Sequence, residues 1–306
     1  MDGQLIRSSE FELLMTEIVK NCPLCGTASS LPFDQRMFRG HTVSNVICRG
    51  CGLVYQSPRM TESKSRAFYE AEYRLLYQGQ EGPNPKDLAV QTGRAQVALG
   101  FVGQQVKSSS RILDIGCSTG VLLQQFQAFY HAKVYGIEPG NLYRQYARSS
   151  GLEVFSSLDE LQQAGVPLFD MVSMMHVLEH LPNPLEYLQN LREKFLEPDG
   201  WLLLEVPNLY AHDCFEVAHL TSFSAHTLTQ LVQKAGYRVI RQRAQGLPRS
   251  QMIPLYLTLL AQSNGSEIFS FKPDRLVRLQ RQYGFFRRRI TERLWPQRAW
   301  IPLHRI

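Results

Sequence analysis

From residue 111 onward, short apolar runs alternate with longer segments whose apolar residues recur every three or four positions. RILDIG (111–116), AKVYGIE (132–138), LEVF (152–155), FDMVSMMHV (169–177) and WLLLEVPN (201–208) predict buried strands. VLLQQFQAFYH, NLYRQYARSSG, LDELQQAG, PNPLEYLQNLREKFLEPDG and TLTQLVQKAG, placed between and after them, predict helices. One of these carries a proline near its start, and several close on glycine. Such alternation builds a mostly parallel sheet with helices on both faces. YRVIRQRAQ (237–245) and MIPLYLTLLA (252–261) are two last strands joined only by GLPRSQ, too short for a crossover helix, so they should pair antiparallel. The expected fold is α/β, a Rossmann-like seven-stranded, mostly parallel sheet with an antiparallel last strand.

Two helical patches precede this region. TESKSRAFYEAEYRLLYQ sets Phe68, Tyr69, Tyr73, Leu76 and Tyr77 near helical spacing, and DLAVQTGRAQVALGFVGQQV (87–106) is the second. Pro83 and Pro85 predict a break between them. After the sheet region, DRLVRLQRQYGFFRRRITERLW (274–295) repeats Leu276, Leu279, Tyr283, Phe286, Ile290 and Leu294 at three and four residues, with arginines filling the remaining positions. The simplest expectation is a helix that packs its apolar face on the body and leaves a basic face in water. An interfacial helix at an anionic membrane and an RNA contact are the alternatives.

Charge sharpens that last segment. The net charge is +6, and residues 262–306 hold ten Lys or Arg against three Asp or Glu, so the rest of the chain is close to neutral. A near-neutral body argues against an RNA channel there. No apolar run is long enough to cross a bilayer, and the acid-containing N-terminus has no apolar signal core, so a cytoplasmic location is expected.

Four of the six cysteines form two C-x-x-C-G knuckles, Cys22/Cys25 and Cys48/Cys51, with 22 residues between them. Each knuckle points two thiolates at one centre, and two knuckles make a tetrahedral site closed to substrate. Structural Zn2+ is the first reading; a rubredoxin-type iron or a disulfide pair ranks below it. About fifty residues bury little core of their own, and a structural zinc supplies on the order of 10 kcal/mol of folding free energy. The segment is expected to be a zinc-ribbon-like module. The boundaries read as 1–57 for this module, 58–110 for a helical linker or cap, 111–262 for the α/β domain and 263–306 for the basic amphipathic tail.

ILDIGCSTG ends a strand in a glycine turn. No Gly-Lys-Ser/Thr follows, which excludes a P-loop, and Ser118 stands where a dinucleotide fingerprint needs glycine. At the end of the next strand, Glu138 in VYGIEPG is placed to accept two hydrogen bonds from a ribose diol. The helix beginning near Gly120 offers amide groups suited to a small carboxylate as well as to a phosphate.

ILDIGCSTG, VYGIEPG, FDMVSMMHVLEHLPNPLEYLQNLREKFLEPDGWLLLEVPN and HLTSFSAHTLTQLVQKAGYRVI, in this order, resemble class I S-adenosylmethionine-dependent methyltransferases over roughly residues 90–262. CPLCG…CRGCGLVYQSPRM…YEAEY resembles the zinc-bearing module found before such domains, a combination similar to bacterial methyltransferases of sugar, glycan or other small-molecule biosynthesis. The resemblance implies that Asp114, Gly116, Ser118 and Gly120 line the methionine end of S-adenosyl-L-methionine. It implies that Glu138 holds the ribose, with Met175 and His176 beside the sulfonium. His176, His180 and His219 are the candidate general bases. His219 is the first hypothesis for the base, and His176 is expected to have a site role. Related sugar C-methyltransferases carry His-Glu-His near His219, whereas Val217-Ala218-His219 keeps only the last histidine, which favours transfer to oxygen. The expected acceptor is a small molecule, a sugar or a lipid-linked compound, and peripheral contact of the tail with an anionic membrane would fit the last of these. A zinc-bearing nucleic-acid methyltransferase and a non-catalytic binding module of this fold are the competing readings. The Asn-Pro-Pro-aromatic element of base-amine methylation is absent after the fourth strand.

Overall fold

The computed structural model describes residues 16–68, 82–264 and 270–302. Tyr69, Tyr73, Leu76 and Tyr77 of the first predicted helical patch lie outside the described residues.

The cysteine-bearing region is an antiparallel sheet. β1 (Thr16–Glu17) and β5 (Arg59–Met60) pair as a short ribbon, while β2 (Ser30–Phe38), β3 (His41–Cys48) and β4 (Val54–Gln56) form a meander. Arg39 and Gly40 both take positive φ (48° and 88°), the two-residue turn that matches strand twist and sets Phe38 opposite His41. The fourth strand of this sheet comes from far along the chain. β11 (Thr221–Ser222) pairs antiparallel with β4. The Gln56 side-chain amide donates to the carbonyls of Glu216 at 2.8 Å and His219 at 2.9 Å, and its backbone N–H donates to Leu220 at 2.9 Å. Cys22, Leu24, Leu53 and Tyr55 share one buried core with Leu228 and Leu231. The knuckle region is therefore packed into the α/β body.

A short α1 (Glu62–Ala67) follows. α2 (Pro85–Val102) begins at the second proline of the expected break, two residues before the predicted start at Asp87. The Asn84 side chain accepts from the Asp87 N–H at 2.9 Å, and Pro85 occupies the first turn, where no amide donor is needed. Ala95, Ala98, Phe101 and Val102 turn one face of α2 into the core.

The central sheet contains β6 (Arg111–Ile115), β7 (Lys133–Ile137), β8 (Glu153–Phe155), β9 (Phe169–Met175), β10 (Leu196–Pro207), β12 (Arg238–Gln245) and β13 (Tyr256–Gln262). Their spatial order is β8-β7-β6-β9-β10-β13-β12, with β13 antiparallel to both neighbours. The strand order reverses direction at β6 and β9, so the crevice at their carboxyl ends is where a ligand binds in such sheets. The connecting helices are α3 (Val121–Tyr130), α4 (Asn141–Ser149), α5 (Leu158–Gln163), α6 (Pro184–Lys194) and α7 (Ala225–Lys234).

α8 (Val277–Leu294) and α9 (Pro296–Ala299) complete the fold. α8 corrects the expected orientation of the tail. Arg278, Arg281 and Arg288 reach the body, while its apolar stripe faces solvent. Arg281 is buried, donates to the Leu209 carbonyl, and sits 4.0 Å from the centre of the Phe215 ring. Arg278 donates to the carbonyls of Phe33 and Pro32, each at 3.0 Å, and Arg288 donates to Ala211 at 3.1 Å. These carbonyls belong to irregular segments and an edge strand, and guanidinium forks satisfy them where apolar side chains cannot. Gly284 is the point of closest approach. A Cβ there would collide with the Tyr210 carbonyl oxygen. Gly284→Ala is expected to lift α8 from the body and cost about 1–3 kcal/mol of stability, read as a lower unfolding midpoint and faster proteolysis before residue 277. An unchanged midpoint would show that this approach does not seat the helix.

Candidate active site

The glycine turn follows β6. Gly116, Ser118 and Gly120 have φ of 73°, 53° and 79°. A Cβ on Gly116 would stand 2.5 Å from Val177, so both conformation and space require glycine there. Ser118 takes the left-handed region despite its side chain. Its N–H donates to Glu138 Oε2 at 3.0 Å, and the Gly140 N–H donates to Oε1 at 2.8 Å. Glu138, at the end of β7, is thus held by two amides. Asp114 is buried near the end of β6 and, among the described residues, accepts one short bond, from the Ser173 hydroxyl at 2.6 Å. Burial pushes its carboxyl up to about 7, against the Ser173 bond and with a smaller contribution from the Glu138 charge.

Between this turn and α2 lies a pocket lined by Gln91, Arg94, Asp114, Gly116, Ser118 and Met175. Arg94 lies 5.3 Å from the Tyr256 ring centre and donates to its hydroxyl at 3.3 Å, while its buried Nε has no hydrogen-bond partner. The pocket therefore offers a guanidinium donor and a carboxylate that lacks a counter-charge. That donor set fits an amino-acid zwitterion.

A second cluster stands beside it. His176, directly after β9, has φ 59° and places its ring between two buried carboxylates. Nδ1 is 3.4 Å from Glu179 and Nε2 is 3.3 Å from Glu205, and the ring meets Tyr256 edge-on at 5.0 Å. Glu205 also accepts from Gln245 at 2.9 Å and Thr258 at 2.8 Å. Glu179 is the middle residue of the turn Leu178–His180, and neither of its oxygens has an aligned hydrogen bond. Burial acts to raise the Glu179 carboxyl, but the surrounding rings of His176, His180 and His219 hold it down at about 2.

His180 Nδ1 stands 2.9 Å from the Ala218 carbonyl, and His219 Nδ1 stands 3.0 Å from the Cys214 carbonyl. Carbonyls only accept, so both Nδ1 atoms carry protons. His219 Nε2 lies 2.8 Å from Glu216. Burial disfavours the charged His219 ring, yet Glu216 raises its pKa, whereas burial lowers that of His180 despite Glu179. The two rings are 4.9 Å apart. Glu179, His180 and His219 each bring a ligand atom within 4.8 Å of the others, a spacing that suits a shared divalent cation as well as an ion-pair network.

The four knuckle cysteines converge. Cys22 and Cys51 sulfurs are 3.6 Å apart, Cys25 and Cys48 sulfurs 3.4 Å, and all four lie within 4.8 Å of one another. The Gly50 N–H donates to Cys48 Sγ at 3.3 Å, an outer-shell bond of the kind that orients a thiolate ligand. Four converging thiols with no open position fit a structural Zn2+.

Every site residue picked from the sequence falls into one of these groups. Asp114, Gly116, Ser118 and Met175 line the pocket between the glycine turn and α2, with Gly120 and Glu138 supporting the turn. His176 and His219 stand in the adjoining cluster, and the cysteines form the separate centre. Arg94, Glu179, Glu205, Glu216 and Tyr256 escaped the sequence reading. Glu179 stood inside the quoted LEH element, but Arg94 sits on an amphipathic helix with no local mark.

A methyltransferase domain profile matches residues 91–242. Among curated proteins, the ubiquinone biosynthesis O-methyltransferase of Actinobacillus pleuropneumoniae is 32% identical over 123 residues, 36% of this chain and 52% of that protein. Its counterpart in Hahella chejuensis is 40% identical over 94 residues, 28% of this chain and 39% of that protein. The chain thus spans about half the length or less of these relatives. Among solved structures, the Burkholderia thailandensis 1,6-didemethyltoxoflavin-N1-methyltransferase superposes with a TM-score of 0.53 at 15% identity, covering 76% of this chain and 98% of that one. That likeness speaks for the fold alone. Strand order, glycine turn, strand-end acid and profile agree, and the chain carries a class I S-adenosylmethionine-dependent methyltransferase domain.

Proposed function

We propose that the protein methylates an oxygen of a small-molecule, sugar or lipid-linked acceptor, with His176 as the general base. The observation that carries this reading is the adjacency of two clusters, the Asp114–Arg94 pocket and the His176–Glu179–Glu205 group, at the carboxyl ends of neighbouring strands. The curated relatives are named as O-methyltransferases, in agreement with transfer to oxygen.

S-adenosylmethionine supplies, when bound, a methyl group on a sulfonium leaving group. Asp114 and Arg94 would hold its methionine end and Glu138 its ribose. The chain's task is then alignment of nucleophile and methyl, together with removal of one proton. His176 suits the second task. Its side chain keeps 17% exposure, and two carboxylates can stabilise the imidazolium that forms. His219 suits it less, because its ring nitrogens are held by acceptors at the shorter distances of 2.8 Å and 3.0 Å and its side chain is only 8% exposed. His219 instead ties down the loop between β10 and β11 through Glu216 and Cys214. We assign Zn2+ to the four cysteines as a structural ion that fixes the knuckle sheet, and through β4–β11 this same loop.

Cofactor affinity should depend on pH through Asp114. A cationic amino-acid end prefers the ionised carboxylate, whose pKa in the free protein is about 7. Below that pH a proton must leave on binding, so affinity should rise with pH toward 7 and then level off. Calorimetric titration with S-adenosylmethionine should show this slope in the native protein and lose it in Asp114→Asn. Glu138→Ala should weaken binding at every pH by about 1.5–3 kcal/mol for each charged hydrogen bond lost. A pH-independent affinity in the native protein would refute the role of Asp114.

His176→Gln should lower kcat by roughly 10²–10⁴-fold while leaving cofactor affinity within a few-fold. His219→Gln should act mainly on acceptor KM. The reverse pattern would return the base to His219. For the metal, the purified protein should hold about one zinc per chain, and Cys25→Ser should lose it and unfold at lower temperature. A metal-free native protein with the same unfolding midpoint would remove zinc from the structure.

A further inference from the structure

We infer that the outward face of α8 is a docking surface for an anionic lipid bilayer, on which the helix lies in the plane of the interface. Leu276, Leu279, Tyr283, Phe286, Ile290 and Leu294 form one stripe, with exposures of 69%, 58%, 62%, 59%, 38% and 59%. Trp295 prolongs it at the helix end. Among the described residues nothing covers this stripe. A soluble surface does not ordinarily present six large apolar side chains in register. The cause is on the opposite face, where Arg278, Arg281 and Arg288 are committed to body carbonyls, so the helix cannot rotate its stripe inward without orphaning them.

The charges beside the stripe select the partner. Arg275, Arg287, Arg289 and Arg293 are exposed, and the single acid of α8, Glu292, is engaged by Arg288 at 2.9 Å. Two copies meeting through this face would bring Arg287 and Arg289 of each into a dry seam with no acid free to oppose them. A bilayer carrying anionic headgroups provides the opposite sign along both flanks, with hydrocarbon between them. Tyr283 and Trp295 have the apolar body and polar tip that settle at a headgroup boundary. A cleft between α8 and the 252–254 segment, lined by Tyr210, Ile253, Pro254 and Tyr283, continues the apolar surface toward the body. No described helix is long and apolar enough to cross a membrane, so contact is with one leaflet.

The test is co-sedimentation of the full chain with vesicles of phosphatidylcholine alone or mixed with phosphatidylglycerol, at low and high salt. Cofactor binding is measured in parallel, so loss of docking is read separately from loss of the methyl-transfer site. The protein should pellet with the anionic vesicles at low salt and be released by high salt. Arg287→Gln with Arg289→Gln should reduce partitioning roughly 25-fold, about fivefold for each arginine. Phe286→Ser should reduce it further, with an unchanged unfolding midpoint. Absence of pelleting at low salt would overturn the inference, as would equal pelleting with both vesicle types. A doubled solution mass that Phe286→Ser abolishes, without vesicle binding, would assign the face to a second copy and overturn it too.

Discussion

Four carboxylates are buried at one end of the central sheet, and the surrounding structure is arranged around them. Asp114, Glu138, Glu179 and Glu205 are exposed by 3%, 4%, 1% and 2%. A buried carboxylate stays charged only where donors or cations replace its water. Glu138 takes two amides from the turns around it. Glu205 takes Gln245 and Thr258, with Arg94 and His176 nearby. Glu179 sits among imidazoles. Asp114 has one hydroxyl, and its pKa is correspondingly raised. It is the member of the set with no cation among the groups acting on it, a difference that supports the proposed division between a pocket for a cationic ligand end and a neighbouring cluster that moves a proton.

The knuckle sheet has a mechanical place in this arrangement. β11 is a strand of two residues, too short to hold itself, and it exists because β4 offers a paired edge. Gln56 adds side-chain bonds to the carbonyls of Glu216 and His219. The loop carrying His219 is therefore anchored on the element whose cysteines converge. Removing whatever holds those thiols together would loosen the loop from a distance. Among the described residues, this ties the N-terminal region to the loop that carries His219 without placing any of its side chains in the Asp114–Arg94 pocket.

α8 shows how a local pattern can be read in the wrong sense. Its apolar spacing is a good helix signal, and the helix forms where that spacing places it. The body it meets presents unpaired carbonyls and aromatic rings, of Phe33 and Phe215, more than an apolar groove. Guanidinium groups satisfy both kinds of partner, through hydrogen bonds and through stacking on the rings. The stripe is left facing outward as a consequence.

Much of the protein was legible in the chain. Period and punctuation located all seven sheet strands, because an alternation of buried runs and amphipathic segments has few other solutions. The closeness of the last two strands in sequence dictated their antiparallel pairing. Asp114, the glycines, Glu138 and the cysteines were visible because turn geometry and ligand spacing are local. Arg94, Glu205 and Tyr256 were not, because they come from three elements far apart in sequence that meet only when the sheet closes. The proposed preference for His176 over His219 likewise rests on how closely neighbours hold the ring nitrogens, and the sense of α8 on which carbonyls the body leaves open. Local propensity and periodicity thus determined the elements and their order. Tertiary structure alone decided which charges are buried together and which face of the tail meets water, since both depend on desolvation by residues that no local window contains.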